Sequence, residues 1–288
     1  MANSEGLENI FVLAFASTDL RWEALPANLL PWLCLSALAA GAINSVAGGG
    51  TLLTFSALLA ALVPVLGPYE ASVVANATST VALVPGSLAG AWGYRREMHP
   101  ARRWALLLLG PSLLGGVAGS LLVTRLEAKY FRMLVPWLIL TAALLFMAQP
   151  ALMKLVRLKP KSAPAPRTIV AIVLFQFVVA VYGGLFGAGI GILMLSALAL
   201  MGLPGIHQMN AVKNFLAFCI NGVSVVIFVA ANKVEWRYAP AMAVSAILGG
   251  YLGARVARRI RPQIVRWFII VIGLSLAGLY FYRQFVGT

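Results

Sequence analysis

Lys213 lies in the stretch NAVKN (residues 210–214), between uncharged blocks at residues 168–212 and 214–232, and no other Lys or Arg sits so far inside an apolar stretch. In hydrocarbon an ammonium costs about 2.5–3.5 kcal/mol on insertion scales unless it is paired or hydrated. No Asp or Glu lies in the interior of a predicted membrane segment to pair with it, so its natural counter-ion is a bound anion. Against this stands a lysine near the segment start at His207 that snorkels to the headgroups. Asn210, Asn214 and Asn221 surround Lys213, and ANATST (residues 75–80) offers Asn76, Thr78, Ser79 and Thr80 in the corresponding first-half segment. A single hydroxyl is satisfied by bonding back to its own helix, whereas an amide in lipid needs partners.

Two glycine clusters could supply the rest of an anion site. Gly48, Gly49 and Gly50 follow Asn44 and Ser45, and Gly187, Gly189 and Gly191 occur at the matching place in the second half. Glycine disfavours helix, and a break at membrane depth exposes backbone amides that suit an anion. Close helix packing is the competing role. It is the favoured one for Gly115, Gly116, Gly119, Gly249, Gly250 and Gly253. Glu70 and His207, each opening the third segment of its half, are the residues available for proton coupling, although both also read as interfacial. The only histidines are His99 and His207, and there is no buried carboxylate pair, so an enzyme is not expected. Cys34 and Cys219 lie in apolar blocks, so neither a disulfide, a metal site nor a cofactor is expected.

What must position these residues is set by composition. Of 288 residues 61% are hydrophobic and 10% charged, which rules out a soluble globule. Removing the charged residues leaves eight uncharged blocks, most of them long enough to span about 30 Å of hydrocarbon with about 20 helical residues. The chain is therefore read as an all-α polytopic membrane protein whose partner is the bilayer. Its net charge of +14 sits in short loops between blocks, which excludes a nucleic-acid partner. Residues 1–26 lack a basic n-region and read as an interfacial lead-in.

The blocks come in the same order twice. LGGVAG at residues 114–119 returns as LGGYLG at residues 248–253, an offset of 134, and Ser56-Ala57-Leu58 returns as Ser196-Ala197-Leu198. The longest blocks would make helices more than twice the membrane thickness and must turn back at the glycine clusters. This predicts five segments per repeat, at about 27–47, 51–66, 70–93, 103–124 and 132–149, then 168–187, 190–203, 207–231, 238–256 and 264–283. The domains are a first repeat at 27–150, a cytoplasmic linker at 151–167 and a second repeat at 168–288. Three loops on one side hold 14 basic residues against 7 on the other, so the former side is cytoplasmic and both termini lie outside. An odd number of segments per repeat makes the repeats inverted, a transporter arrangement with its site at the repeat interface.

GAINSVAGGGTLLTFSALL (residues 41–59), ANATST, GGLFGAGIGILML (residues 183–195) and NAVKN together resemble the TauE/SafE family of membrane permeases, from about residue 28 to 283. The resemblance implies export of a small sulfur-containing anion, sulfite or a short organosulfonate, across a bacterial inner membrane. It puts Ser45 to Gly50, Gly187 to Gly191, Thr78, Ser79, Lys213 and Asn214 at the family's motif positions. Phe55-Ser56 departs from it, where many relatives carry a proline. A permease for another small anion, a non-transporting assembly partner and a homo-oligomer all stay open at this point.

Overall fold

The structure, a computed structural model, describes residues 27–46, 49–157, 166–201, 206–256 and 262–285. The N-terminal lead-in, Gly48, residues 158–165 of the linker and the basic run at 257–261 lie outside the described residues. A short 3-10 turn at Ala27–Leu29 leads into α1 (Leu30–Val46). There follow α2 (Thr51–Gly93), α3 (Arg95–Arg125), α4 (Ala128–Arg157), α5 (Pro166–Leu185), α6 (Ile190–Leu200), α7 (Ile206–Ala230), α8 (Ala239–Val256) and α9 (Pro262–Phe285). No strand occurs among the described residues. Among the described residues six helices are long and apolar enough to cross a membrane, and α1, α6 and α8 are shorter apolar helices. Trp32, Leu114, Trp267 and Phe285 are exposed, as side chains that meet lipid should be.

At about 1.5 Å per residue α2 would be roughly 64 Å long, too much for one crossing. It breaks at Gly67, with φ 75° and ψ 164°. Pro68 denies the preceding residue the helical region, and a positive φ with an extended ψ is essentially open to glycine alone. The expected division into 51–66 and 70–93 is therefore present, with Pro68 starting the second limb.

Several helices extend past the expected bounds. α3 starts at Arg95 and α4 at Ala128, so Arg95, Arg96, Arg102, Arg103, Lys129 and Arg132 are helical rather than in loops. α4 also continues to Arg157, into the expected linker. A long basic side chain can lay its stem along a helix while its head reaches the interface, so a charge does not end the helix. The Arg95 guanidinium lies 5.2 Å from the Trp92 ring centroid, Arg103 4.6 Å from Trp104 and Arg132 4.9 Å from Tyr69.

The closest helix pairs join the two halves of the chain: α1 packs on α8, and α3 on α5 and α7. Glycine permits both approaches. A Cβ on Gly249 would fall 1.9 Å from the Leu38 carbonyl oxygen, and one on Gly41 2.2 Å from that of Ala246. The other pair repeats the arrangement, with 2.1 Å from Gly119 to the Val181 oxygen and 2.4 Å from Gly184 to that of Gly116. Gln176 Nε2 adds a buried hydrogen bond to Ser112 Oγ at 2.9 Å across α5 and α3.

Candidate functional site

Both glycine clusters interrupt the helices. α1 ends at Val46 and α2 begins at Thr51, with Gly49 and Gly50 between them among the described residues. α5 ends at Leu185, and after Phe186–Gly189 the chain re-enters helix at Ile190. Gly187 and Gly189 there have φ of 78° and 82°. Gly191, expected within this break, is helical, as are Gly183 and Gly184 before it. The breaks meet through Phe55 and Phe186, whose rings pack edge-on with centroids 5.1 Å apart. Asn76 Nδ2 donates to the Leu185 carbonyl at 3.1 Å, satisfying the end of α5 from the middle of α2. The Thr54 and Ser79 hydroxyls bond to each other in the buried core of α2.

Beside the breaks lies a cavity of about 780 Å³. Lys213 lines it and is only 5% exposed, and no acidic side chain among the described residues pairs with it. Asn214 and Asn221 of α7, Asn44 of α1 and the first residues of α2 and α6 (Thr51, Ile190 and Gly191) share the wall. The arrangement combines one ammonium, side-chain amides and two helix N-termini, donors and partial positive charge that suit an anion. Its other end is bordered by Tyr94, Glu97 and His207. The Tyr94 and His207 rings stack there at 6.5 Å, beside the helix start that carries Arg95 and Arg96.

Of the residues singled out in the sequence, Asn44, Thr80, Gly187, Gly191, Lys213, Asn214, Asn221 and His207 come together on this cavity, the Thr80 hydroxyl bonding back to Asn76 O at 2.8 Å. Others are engaged elsewhere. Gly49 lies under the Phe146 ring, Gly50 against the Ala40 carbonyl, and Gly189 against Ala142. Thr78 accepts the Glu235 backbone N–H at 2.9 Å. Ser45 is in the last turn of α1, and Glu70 is exposed near the Gly67 break. Among the described residues no three His, Cys, Asp or Glu side chains are placed to hold a metal.

Two acidic residues escaped the sequence reading. Glu97 borders the cavity and has a buried Oε2 with no hydrogen-bond partner. It shares a helical period with the buried Ala101, Ala105 and Leu108, a signal hidden by the surrounding arginines. Glu235, in the connection between α7 and α8, is 3% exposed. Its only sequence signal is a lone acid among Val234, Trp236 and Tyr238.

Helices of this length and apolarity, packed around a cavity that carries one lysine and several amides on a largely apolar wall, define a multi-pass membrane protein. The chain belongs to the sulfite exporter TauE/SafE family, which it matches over residues 33–281. It is 29% identical over 256 residues to the probable membrane transporter protein ORF9 of a Sinorhizobium species, covering 88% of this chain and 93% of that one. It is 28% identical over 258 residues to the probable membrane transporter protein YfcA of Escherichia coli, covering 88% and 90%. Against the probable membrane transporter protein YunE of Bacillus subtilis it is 28% identical over 262 residues, covering 85% and 96%. No solved structure gives a significant match.

Proposed function

We propose that the chain is a secondary transporter that moves sulfite or a short organosulfonate out of the bacterial cytoplasm across the inner membrane. The observation that carries this is Lys213, a buried cation facing the cavity with no acidic partner among the described residues. An anion entering the cavity neutralises it, while Asn44, Asn214, Asn221 and the amides at the helix breaks orient the oxygens. The distribution of basic residues supports a cytoplasmic mouth at Tyr94 and His207, which makes this the inward-facing form. Two inverted repeats, 27–150 and 168–288, would then rock about the Phe55 and Phe186 contact to expose the same anion on the other side.

The test is efflux of sulfite, sulfoacetate, sulfate, thiosulfate and chloride from proteoliposomes, with Lys213→Ala beside the natural protein and insertion checked by protease protection. Selective efflux of sulfite or a sulfonate, lost in the variant, is expected. Selective efflux of another anion would move the substrate. Efflux untouched by Lys213→Ala would remove the lysine from the site.

A further inference from the structure

The connection between α7 and α8 is a buried turn. α7 rises about 37 Å over its length, so residues 231–238 lie at the end of the bundle opposite His207 and the cavity mouth. Val234 and Tyr238 of this turn are buried in the same apolar core as Val74 and Ala75 of α2. Glu235 is carried into that core with them. Its backbone N–H donates to Thr78 Oγ1 at 2.9 Å, and its Oε1 accepts the Arg237 backbone N–H at 2.9 Å. Its Oε2 is buried with no hydrogen-bond partner.

A carboxylate accepts hydrogen bonds at both oxygens, and a buried oxygen without a donor costs less once the charge is removed. We infer that Glu235 is a proton-binding site, a neutral carboxylic acid while the 231–238 turn is packed on α2, which releases its proton when that turn leaves. The bound proton removes the charge from a carboxyl whose Oε2 has no hydrogen-bond partner. Of the charged groups around it, the nearest is Arg237, two residues along the same turn. α1 has no charged residue, and α2 has only Glu70, exposed and about 12 Å farther along the helix. α8 has none before Arg255, and Arg132 of α4 is stacked over Tyr69. Within the turn stand Lys233, Arg237 and the Tyr238 phenol. Burial pushes the Glu235 carboxyl above its ordinary range, and the Arg237 N–H and guanidinium pull it back by less.

The consequence for transport rests on the proposed function. Opening the far side separates the turn from Thr78, hydrates the carboxyl and returns it to an ordinary acid, whose proton goes to the water on that side. Closure takes one proton back. The closed form binds more protons than the open one, so falling pH on that side favours it and rising pH favours release.

Two measurements decide the inference. Infrared spectra of the detergent-purified protein at neutral pH are expected to show a protonated carboxyl band that Glu235→Gln lacks; identical spectra overturn the site. In proteoliposomes loaded with sulfite or sulfoacetate, efflux is expected to vary with pH on the side of the 231–238 turn, by up to about tenfold per pH unit for a single proton. Glu235→Gln should flatten that dependence, and an unchanged profile overturns the link to opening. Absence of any anion flux in the natural protein would end the transport reading and the link with it, while the infrared band, which needs no flux, still decides the proton site.

Discussion

The stem of Lys213 packs over Gly191, so that a Cβ on Gly191 would fall 3.2 Å from Lys213 Cδ. Gly191 is in the first turn of α6, and the missing side chain there lets the lysine stem lie against the helix start beside the cavity that Lys213 lines. Gly191→Ala requires a shift of a few tenths of an ångström, which a flexible lysine can make. The variant should fold normally and bind anion several-fold more weakly, and Gly191→Leu should abolish binding. Anion titrations followed by thermal shift check this; equal affinities in all three proteins would disconnect the glycine from the lysine.

A ligand that binds only the folded state stabilises it by about 2.7 kcal/mol at one hundred times its Kd. Sulfite or a sulfonate at saturation should therefore raise the Tm of the natural protein, and Lys213→Met should show no rise. Without ligand the order reverses. Removing a buried ammonium that lacks an acidic partner among the described residues should raise the Tm of Lys213→Met above that of the ligand-free natural protein.

Gly67 has open space where a Cβ would sit, so its replacement probes the backbone alone. Its φ of 75° and ψ of 164° are closed to alanine without strain of about 1–3 kcal/mol. Gly67→Ala should lower the Tm while leaving anion affinity near its natural value, measured by the same titration.

Gly249 is the opposite case, helical but without space. Alanine there would set its Cβ 1.9 Å from the Leu38 carbonyl oxygen, and backbone cannot swing aside as a lysine does. Gly249→Ala should force α1 and α8 apart at a cost of about 1–3 kcal/mol, and Gly249→Leu should not accumulate as folded protein. Gel filtration in detergent and thermal unfolding read both outcomes; a monodisperse Gly249→Leu with natural Tm would contradict the packing.

The hydrophobic blocks and the glycine breaks were legible in the sequence because membrane crossing and helix propensity act locally. Lys213 was legible for the same reason, since a charge in an apolar stretch is visible without a fold. Thr78 and Asn76 read as polar residues aimed at a ligand, but they bond to Glu235 N–H and Leu185 O, 157 and 109 residues away. Such partners are created by tertiary packing and leave no local trace. Glu235 was hidden by its neighbours: beside Lys233 and Arg237 an acid reads as part of a hydrated loop, and only the packed fold shows that it is buried.

The glycine contact between Leu38 and Gly249 also sets a timetable for synthesis. The partner surface for α1 leaves the ribosome about 200 residues after α1 itself, which at 5–20 residues per second is about 10–40 s. Throughout that interval α1 sits in the bilayer with its small-residue face covered only by lipid or by the insertion machinery. The surface on α3 waits for a shorter time, until α5 arrives. A truncation after the first repeat would leave both faces permanently bare, so the N-terminal half alone should be a substrate for membrane quality-control proteases rather than a stable half-transporter.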